Sequence, residues 1–198
     1  MSHAAAKNIR LVVLWSVIFA LLFGVVSLLL PKFYSAQSQV LVISRDRSGI
    51  DPYTQAKAAE RIGENLIRVL GTTDFYAKVM ENPTTNINRD YWNNMTDRAR
   101  RKEWQKDVTA SVVYNTGLIN ITVYAPTADN AVALSQAVSD TLVSHVWEYV
   151  GGDVTLKNVN APLASRLPAR PNLIANMIAG LALGALFCAF WIWRAERG

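Results

Sequence analysis

The chain has 198 residues, of which 51% are hydrophobic, with a formal net charge of +5 and one cysteine. The lone Cys188 excludes an intrachain disulfide framework. Much of the positive surplus sits at the two ends, next to long apolar runs, while the middle is nearly balanced. That distribution excludes a nucleic-acid binder and fits membrane topology and contact with anionic lipid.

Residues 1–10 read as a short basic tail carrying Lys7 and Arg10. Leu11 to Leu30 holds no charged residue and is about the ~20 residues a helix needs to cross a bilayer. The run outlasts a usual signal-peptide core and ends in Leu-Leu-Leu-Pro31 without a small-residue cleavage site, so it reads as a retained span. Tyr34 to Ile43 is rich in β-branched residues and reads as a strand. Asp46 to Pro52 is a loop with Gly49 and Pro52 as breakers.

Tyr53 to Leu70 has helical period. Ala59, Ile62, Leu66 and Val69 share one face, and Lys57, Arg61, Glu64 and Arg68 share another, with Glu64 and Arg68 spaced as an i,i+4 pair. Gly71 is expected to close this helix through a positive φ. A short helix follows from Thr72 to Met80, capped by Thr73 or Thr72 and ended by Asn82-Pro83. Thr84 to Asn94 reads as irregular. Thr96 to Gln105 reads as a third helix with Thr96 as cap and Asp97 in its first turn.

Val108 to Tyr114 and Leu118 to Tyr124 flank Asn115-Thr-Gly117 and form an expected antiparallel hairpin. In its second strand Ile119, Ile121 and Val123 oppose Leu118, Asn120, Thr122 and Tyr124. Pro126-Thr-Ala-Asp129 opens a long helix to about Tyr149, with Ala131, Leu134, Val138 and Leu142 as its stripe and Gly151-Gly152 as its stop. Val154 to Val159 is the last expected strand. Residues 162–172 then form a connector stiffened by Pro162, Pro168 and Pro171.

Leu173 to Trp193 is a second uncharged run, followed by a basic tail, 194–198, with Arg194 and Arg197. Within it Gly180 and Gly184 form a small-xxx-small step suited to close helix packing. The expected architecture is therefore an α+β domain, residues 31–161, with helices packed on a mixed sheet, between two transmembrane helices, 11–30 and 173–193. Short basic ends stay cytoplasmic, so both termini are expected inside and the central domain outside. Trp15, Trp191 and Trp193 would mark the inner interface, and Phe33 and Tyr34 the outer one. Neighbouring spans would bring the first and last strands together as a pair.

Chemistry is sparse. His3 and His145 stand apart from any nucleophile–acid pattern, so no catalytic residue is assigned. No metal-ligand spacing and no phosphate-binding glycine loop occurs, so no metal and no cofactor is expected. Arg98, Arg100, Arg101, Lys102 and Lys106, beside Trp92 and Trp104, could meet an anionic glycan or lipid phosphate. The competing and preferred reading is a solvated helix face balanced by Asp97, Glu103 and Asp107. The stripe Lys57, Arg61, Glu64 and Arg68 carries both signs and could fix register against a second copy.

Taken together, the chain resembles the Wzz-like chain-length determinants, or polysaccharide co-polymerases. The residues that carry this are the basic start before the first span, the strand Tyr34 to Ile43, Asn115-Thr-Gly-Leu-Ile-Asn-Ile-Thr-Val123, the helix start Pro126-Thr-Ala-Asp-Asn-Ala-Val-Ala133, and Pro162, Pro168 and Pro171 before the second span. The resemblance implies a non-catalytic homo-oligomeric ring in the bacterial inner membrane that regulates polymerisation, chain length or export of a surface polysaccharide. It implies a polymerase or exporter as partner and, in some members, a bacterial tyrosine kinase, fused or separate. The sequence departs from the pattern in three respects. Only about Asn82 to Val108 stands where the O-antigen regulators carry a long helical extension. No fused kinase domain and only a short final tail is present. The Glu-x-x-Arg-x-x-Arg pattern of some members is not reproduced between Lys57 and Arg68. A two-pass sensor or anchor whose domain binds a ligand is the alternative.

Overall fold

The computed structural model of the chain describes residues 3–44, 51–82, 86–151 and 154–195. Most of the expected Asp46–Pro52 loop, the Pro83 breaker, the Gly152 stop and Arg197 lie outside the described residues. The chain divides into two compact units, Phe33–Leu167 and a helical pair made of the segments up to Lys32 and from Pro168.

The helical pair is α1 (His3–Leu29) and α7 (Leu173–Ala195). Their apolar spans, Ile9–Leu29 and Leu173–Arg194, have mean hydropathies of 2.7 and 2.2. Each is long enough to cross a bilayer, since 21 residues rise about 31 Å. α1 starts earlier than the expected span because Ala4, Ala5 and Ala6 are strong helix formers and no breaker precedes Leu11. The helices run antiparallel: Gly184 meets Trp15 and Ser16, Gly180 meets Phe19 and Ala20, and Asn176 Nδ2 donates to Ser27 Oγ at 3.0 Å. Trp15 and Trp191 both pack on Phe187, with ring centroids 5.9 and 6.5 Å away, so these tryptophans gather at one end of the pair.

The other unit is an α+β layer around a four-stranded sheet, ordered β2-β3-β1-β4, that is antiparallel throughout rather than mixed as expected, because β1 runs opposite to both of its neighbours, β3 and β4, and β2 pairs with β3 as a hairpin. Its strands are β1 (Tyr34–Ser44), β2 (Val108–Val112), β3 (Leu118–Ala125) and β4 (Val154–Ala164). The first and last strands do pair, from Ser44↔Val154 to Ala36↔Ala164. The period-2 pattern sends Ala36, Val40, Val42, Ile119, Ile121 and Val123 to one face, all buried. Helix α6 (Ala128–Val150) covers that face with Ala131, Leu134, Val138 and Leu142, the expected stripe. Ser135 Oγ donates to Ser38 Oγ at 3.1 Å, so these buried hydroxyls satisfy each other.

Helix α2 (Pro52–Leu70) adds Ala59, Gly63, Leu66 and Leu70 to the core, with Ile62 and Val69 half-buried. Asp51 caps it by accepting from the Tyr53 and Thr54 amides. The expected positive φ at Gly71 does not occur; its φ is −82°. The chain passes straight into α3 (Thr73–Glu81), whose cap Thr72 donates its hydroxyl to the Val69 carbonyl at 2.7 Å and accepts from the Phe75 amide. The Thr72 amide also donates to the Val69 carbonyl, at 2.9 Å, so α2 closes without a left-handed residue.

Two expectations about length are corrected. The stretch read as irregular contains α4 (Arg89–Asn93), which buries Trp92. β4 continues past Val159 through Pro162, so the connector begins later than expected. Proline is tolerated there because β4 is an edge strand and its register slips twice, between Gln37 and Gln39 and again before Val40. Pro168 and Pro171 lie beyond the strand.

Gly117, at the hairpin turn, allows a backbone approach that no side chain would. A Cβ there would stand 2.6 Å from the Val42 carbonyl oxygen and 2.9 Å from Ala59 Cβ. Val42 N also donates to Gly117 O at 2.8 Å, which pins the two backbones together. Gly117→Ala should therefore cost about 1–3 kcal/mol by overpacking. Thermal unfolding of the full chain in detergent should show a loss of several degrees, whereas Gly71→Ala, whose Cβ meets nothing closer than 3.7 Å, leaves the midpoint in place.

Candidate functional site

Three surfaces of the α+β unit carry functional groups. The first is the outer face of α2. Lys57, Arg61, Glu64 and Arg68 are all exposed there, as their spacing predicts. Lys57 is engaged within the chain: its Nζ donates to Glu60 at 2.8 Å and lies 5.3 Å from the centre of the Tyr114 ring. The Glu60 bond raises its pKa. The spacing of Glu64 and Arg68 does not produce an ion pair. Among the described residues, the side chains of Arg61, Glu64 and Arg68 make no hydrogen bond or salt bridge, so this face presents both signs of charge to its surroundings.

The second is the face of α5 (Asp97–Asp107), capped as expected by Thr96 through the Ala99 amide. Arg100 pairs with Asp97 and lies 5.6 Å over the Tyr76 ring, and Lys106 pairs with Glu103 at 3.0 Å. Arg98, Arg101 and Lys102 point to solvent. The tryptophans read beside this cluster are not on its surface. Trp92 and Trp104 are 3% and 1% exposed and stack edge-on at 5.5 Å in the core, so they offer no ring to a ligand. Asp107 is buried too, at 1% exposure, and so stands off the exposed face. What remains is a basic helix face, with two of its five cations paired within the helix, bordering a groove of about 350 Å³ against α3.

Between α3 and α6 a tight charged network ties the helices together. Lys78 pairs with Glu148 and, at 3.3 Å, with Asp74, while the Tyr149 hydroxyl donates to Asp74 at 2.7 Å. The Tyr149 hydrogen bond, then Lys78, lowers the Asp74 pKa, and the bond to Glu148 raises that of Lys78. His145 Nδ1 sits 3.1 Å from the Thr141 carbonyl oxygen, inside its own helix turn. Among the described residues no group of three or more His, Cys, Asp or Glu side chains is placed to hold a metal.

No family model matches the chain, and no curated protein matches it. The reading of function therefore rests on the residues themselves.

The third surface is the sheet face opposite α6, and it was only partly legible. The alternation of β3 places Asn120 and Thr122 there. The register then sets Gln39 opposite Asn120 and Gln37 opposite Thr122 on β1, Ser111 and Thr109 beside them on β2, and Asn160 beside Gln39 on β4. Gln39 Nε2 donates to Asn120 Oδ1 at 2.8 Å, and Asn160 Nδ2 donates to Gln39 Oε1 at 2.5 Å. A row of amides thus crosses three strands. The parity of Gln37 and Gln39 was readable in sequence; their partners on other strands were not.

Proposed function

We propose that the chain is a two-pass protein of the bacterial inner membrane, with both termini cytoplasmic and the α+β unit outside, that acts as a non-catalytic homo-oligomeric scaffold. In this reading copies stand side by side and organise the polymerase or exporter of a surface polysaccharide, setting its polymerisation or chain length. Support comes from the two apolar helices at the ends, from the resemblance to Wzz-like chain-length determinants, and above all from the outer face of α2. Arg61, Glu64 and Arg68 are exposed, of opposite sign and without a side-chain partner among the described residues. Complementary charges of this kind give register and partner choice between copies more than raw affinity.

The test is the mass of the full chain in nanodiscs. Arg61→Glu with Arg68→Glu leaves the Glu60-paired Lys57 as the one cation of the stripe and makes the rest acidic beside Glu64, and should convert an oligomer into smaller species. Adding Glu64→Arg restores two signs and should recover assembly in part. An oligomer whose mass is indifferent to both variants would remove α2 from the interface and this reading with it.

A further inference from the structure

The helices of the α+β unit bear charges of both signs, whereas the open face of its sheet carries none over two full rows. One row is Ser111, Asn120, Gln39 and Asn160; the next is Thr109, Thr122, Gln37 and Leu163. Seven of these eight side chains are uncharged amides or hydroxyls. Lys157 stands one row further, opposite Leu41. Of the eight residues in the two rows, all but Thr109 line a broad groove of about 640 Å³, within the size range of ligand sites.

The amides are held but not exhausted. The two bonds that join Asn120, Gln39 and Asn160 fix the three planes relative to one another. They leave the second proton of each donating amide, the Asn120 Nδ2 donors and the Asn160 Oδ1 acceptor. Gln37 is exposed and makes no hydrogen bond among the described residues. The face therefore offers donors and acceptors side by side on a rigid support, which lowers the ordering cost of binding.

The occupant is selected by this chemistry. An anionic polymer would find no cation in either row, and a nucleic acid would find none for its phosphates. A second copy of the chain would need an apolar centre for a stable interface, and here the apolar lining is Leu163 and the small Ala161, both on the marginal strand β4. A chain of neutral sugars presents adjacent hydroxyls that donate and accept at once, matching amides that do the same. We infer that this open sheet face is a binding surface for a neutral glycan. The inference deepens the scaffold reading and rests on it for the source of the glycan, but the chemistry of the face stands without it.

The experiment uses the full chain in nanodiscs, applied to an array of neutral and uronic-acid-containing oligosaccharides. Wild type should retain neutral members and pass over the acidic ones. Gln37→Ala and Asn160→Ala, both at exposed positions, should each weaken retention at least severalfold, and the pair should abolish it, with thermal midpoint and oligomer mass unchanged. Arg61→Glu with Arg68→Glu should leave retention per chain intact, so an oligomer mass indifferent to that pair, with glycan still retained, would sink the scaffold and spare the glycan site. No retention by wild type, a preference for acidic sugars, or indifference to Gln37→Ala and Asn160→Ala overturns the inference. So does a fall in oligomer mass on substituting those two residues, which would make the face a contact between copies.

Discussion

Replacing Gly180 and Gly184 together with isoleucine should separate α1 from α7 and open Cys188 to reagent. A Cβ at Gly180 would lie 2.7 Å from the Phe19 carbonyl oxygen and 2.9 Å from Phe23 Cβ. At Gly184 it would lie 2.7 Å from the Trp15 carbonyl oxygen and 2.8 Å from Ser16 Cα. These neighbours are mainly backbone of the facing helix, so a side-chain rotation cannot relieve them. Overpacking of this kind costs about 1–3 kcal/mol at each position. In an apolar solvent little else drives helices together than close packing and a few polar contacts, here Asn176 to Ser27. Cys188 follows Gly184 by one turn and is 4% exposed, which makes it a reporter built into the seam. Its alkylation by N-ethylmaleimide in nanodiscs should quicken roughly 10- to 100-fold, the factor that about 1.4–2.8 kcal/mol of local opening gives. Gly24→Ala is the matched control: its Cβ would meet only the flexible Met177 side chain, at 3.3 and 3.6 Å, and alkylation should stay at the wild-type rate. Equal rates in all three proteins would mean that the glycines do not set the helix approach.

That small-xxx-small step was visible in the sequence because membrane packing writes itself into one helix. The same holds for the hydroxyl caps Thr72 and Thr96, which act within four residues, and for the alternation of β3, which needs only its own period. What could not be read was decided by partners far along the chain. Pro162 looks like the end of a strand until β4 is known to be an edge with slipped register. Glu64 and Arg68 have the spacing of an ion pair, yet in water the gain of a few tenths of a kcal/mol does not hold two long side chains together. The amide row needs three strands in register, and no one segment contains it. Trp92 and Trp104 failed as surface aromatics for a related reason. α5 is so rich in charge that a single inward tryptophan leaves no apolar stripe, and α4 is too short to show a period.

Trp104 is consequently the residue whose loss should cost the α+β unit most. It is 1% exposed, its Nε1 donates to the Leu70 carbonyl oxygen at 2.8 Å, and its ring meets Tyr76 at 5.0 Å and Trp92 at 5.5 Å, both edge-on. The hydrogen bond reaches the end of α2 from α5, so one side chain fastens the helix that bears the exposed charges to the helix that bears the basic face. Trp104→Ala removes the whole ring from the centre of the cluster, a loss of about 3–5 kcal/mol. Against a typical stability of about 5–15 kcal/mol that is a large share, and the midpoint should fall on the order of 10–20 °C. Trp104→Phe keeps an edge-on ring but strands the Leu70 carbonyl, worth about 1–3 kcal/mol, so it should fall between the alanine variant and wild type. Trp147 is 63% exposed on α6, and Trp147→Ala should stay within about 0.5 kcal/mol. Thermal unfolding of the full chain in detergent, followed by near-ultraviolet circular dichroism, ranks the three. If Trp104→Phe melted with Trp147→Ala, the bond to Leu70 would contribute nothing. The hold of α5 on α2 would then come from ring packing alone.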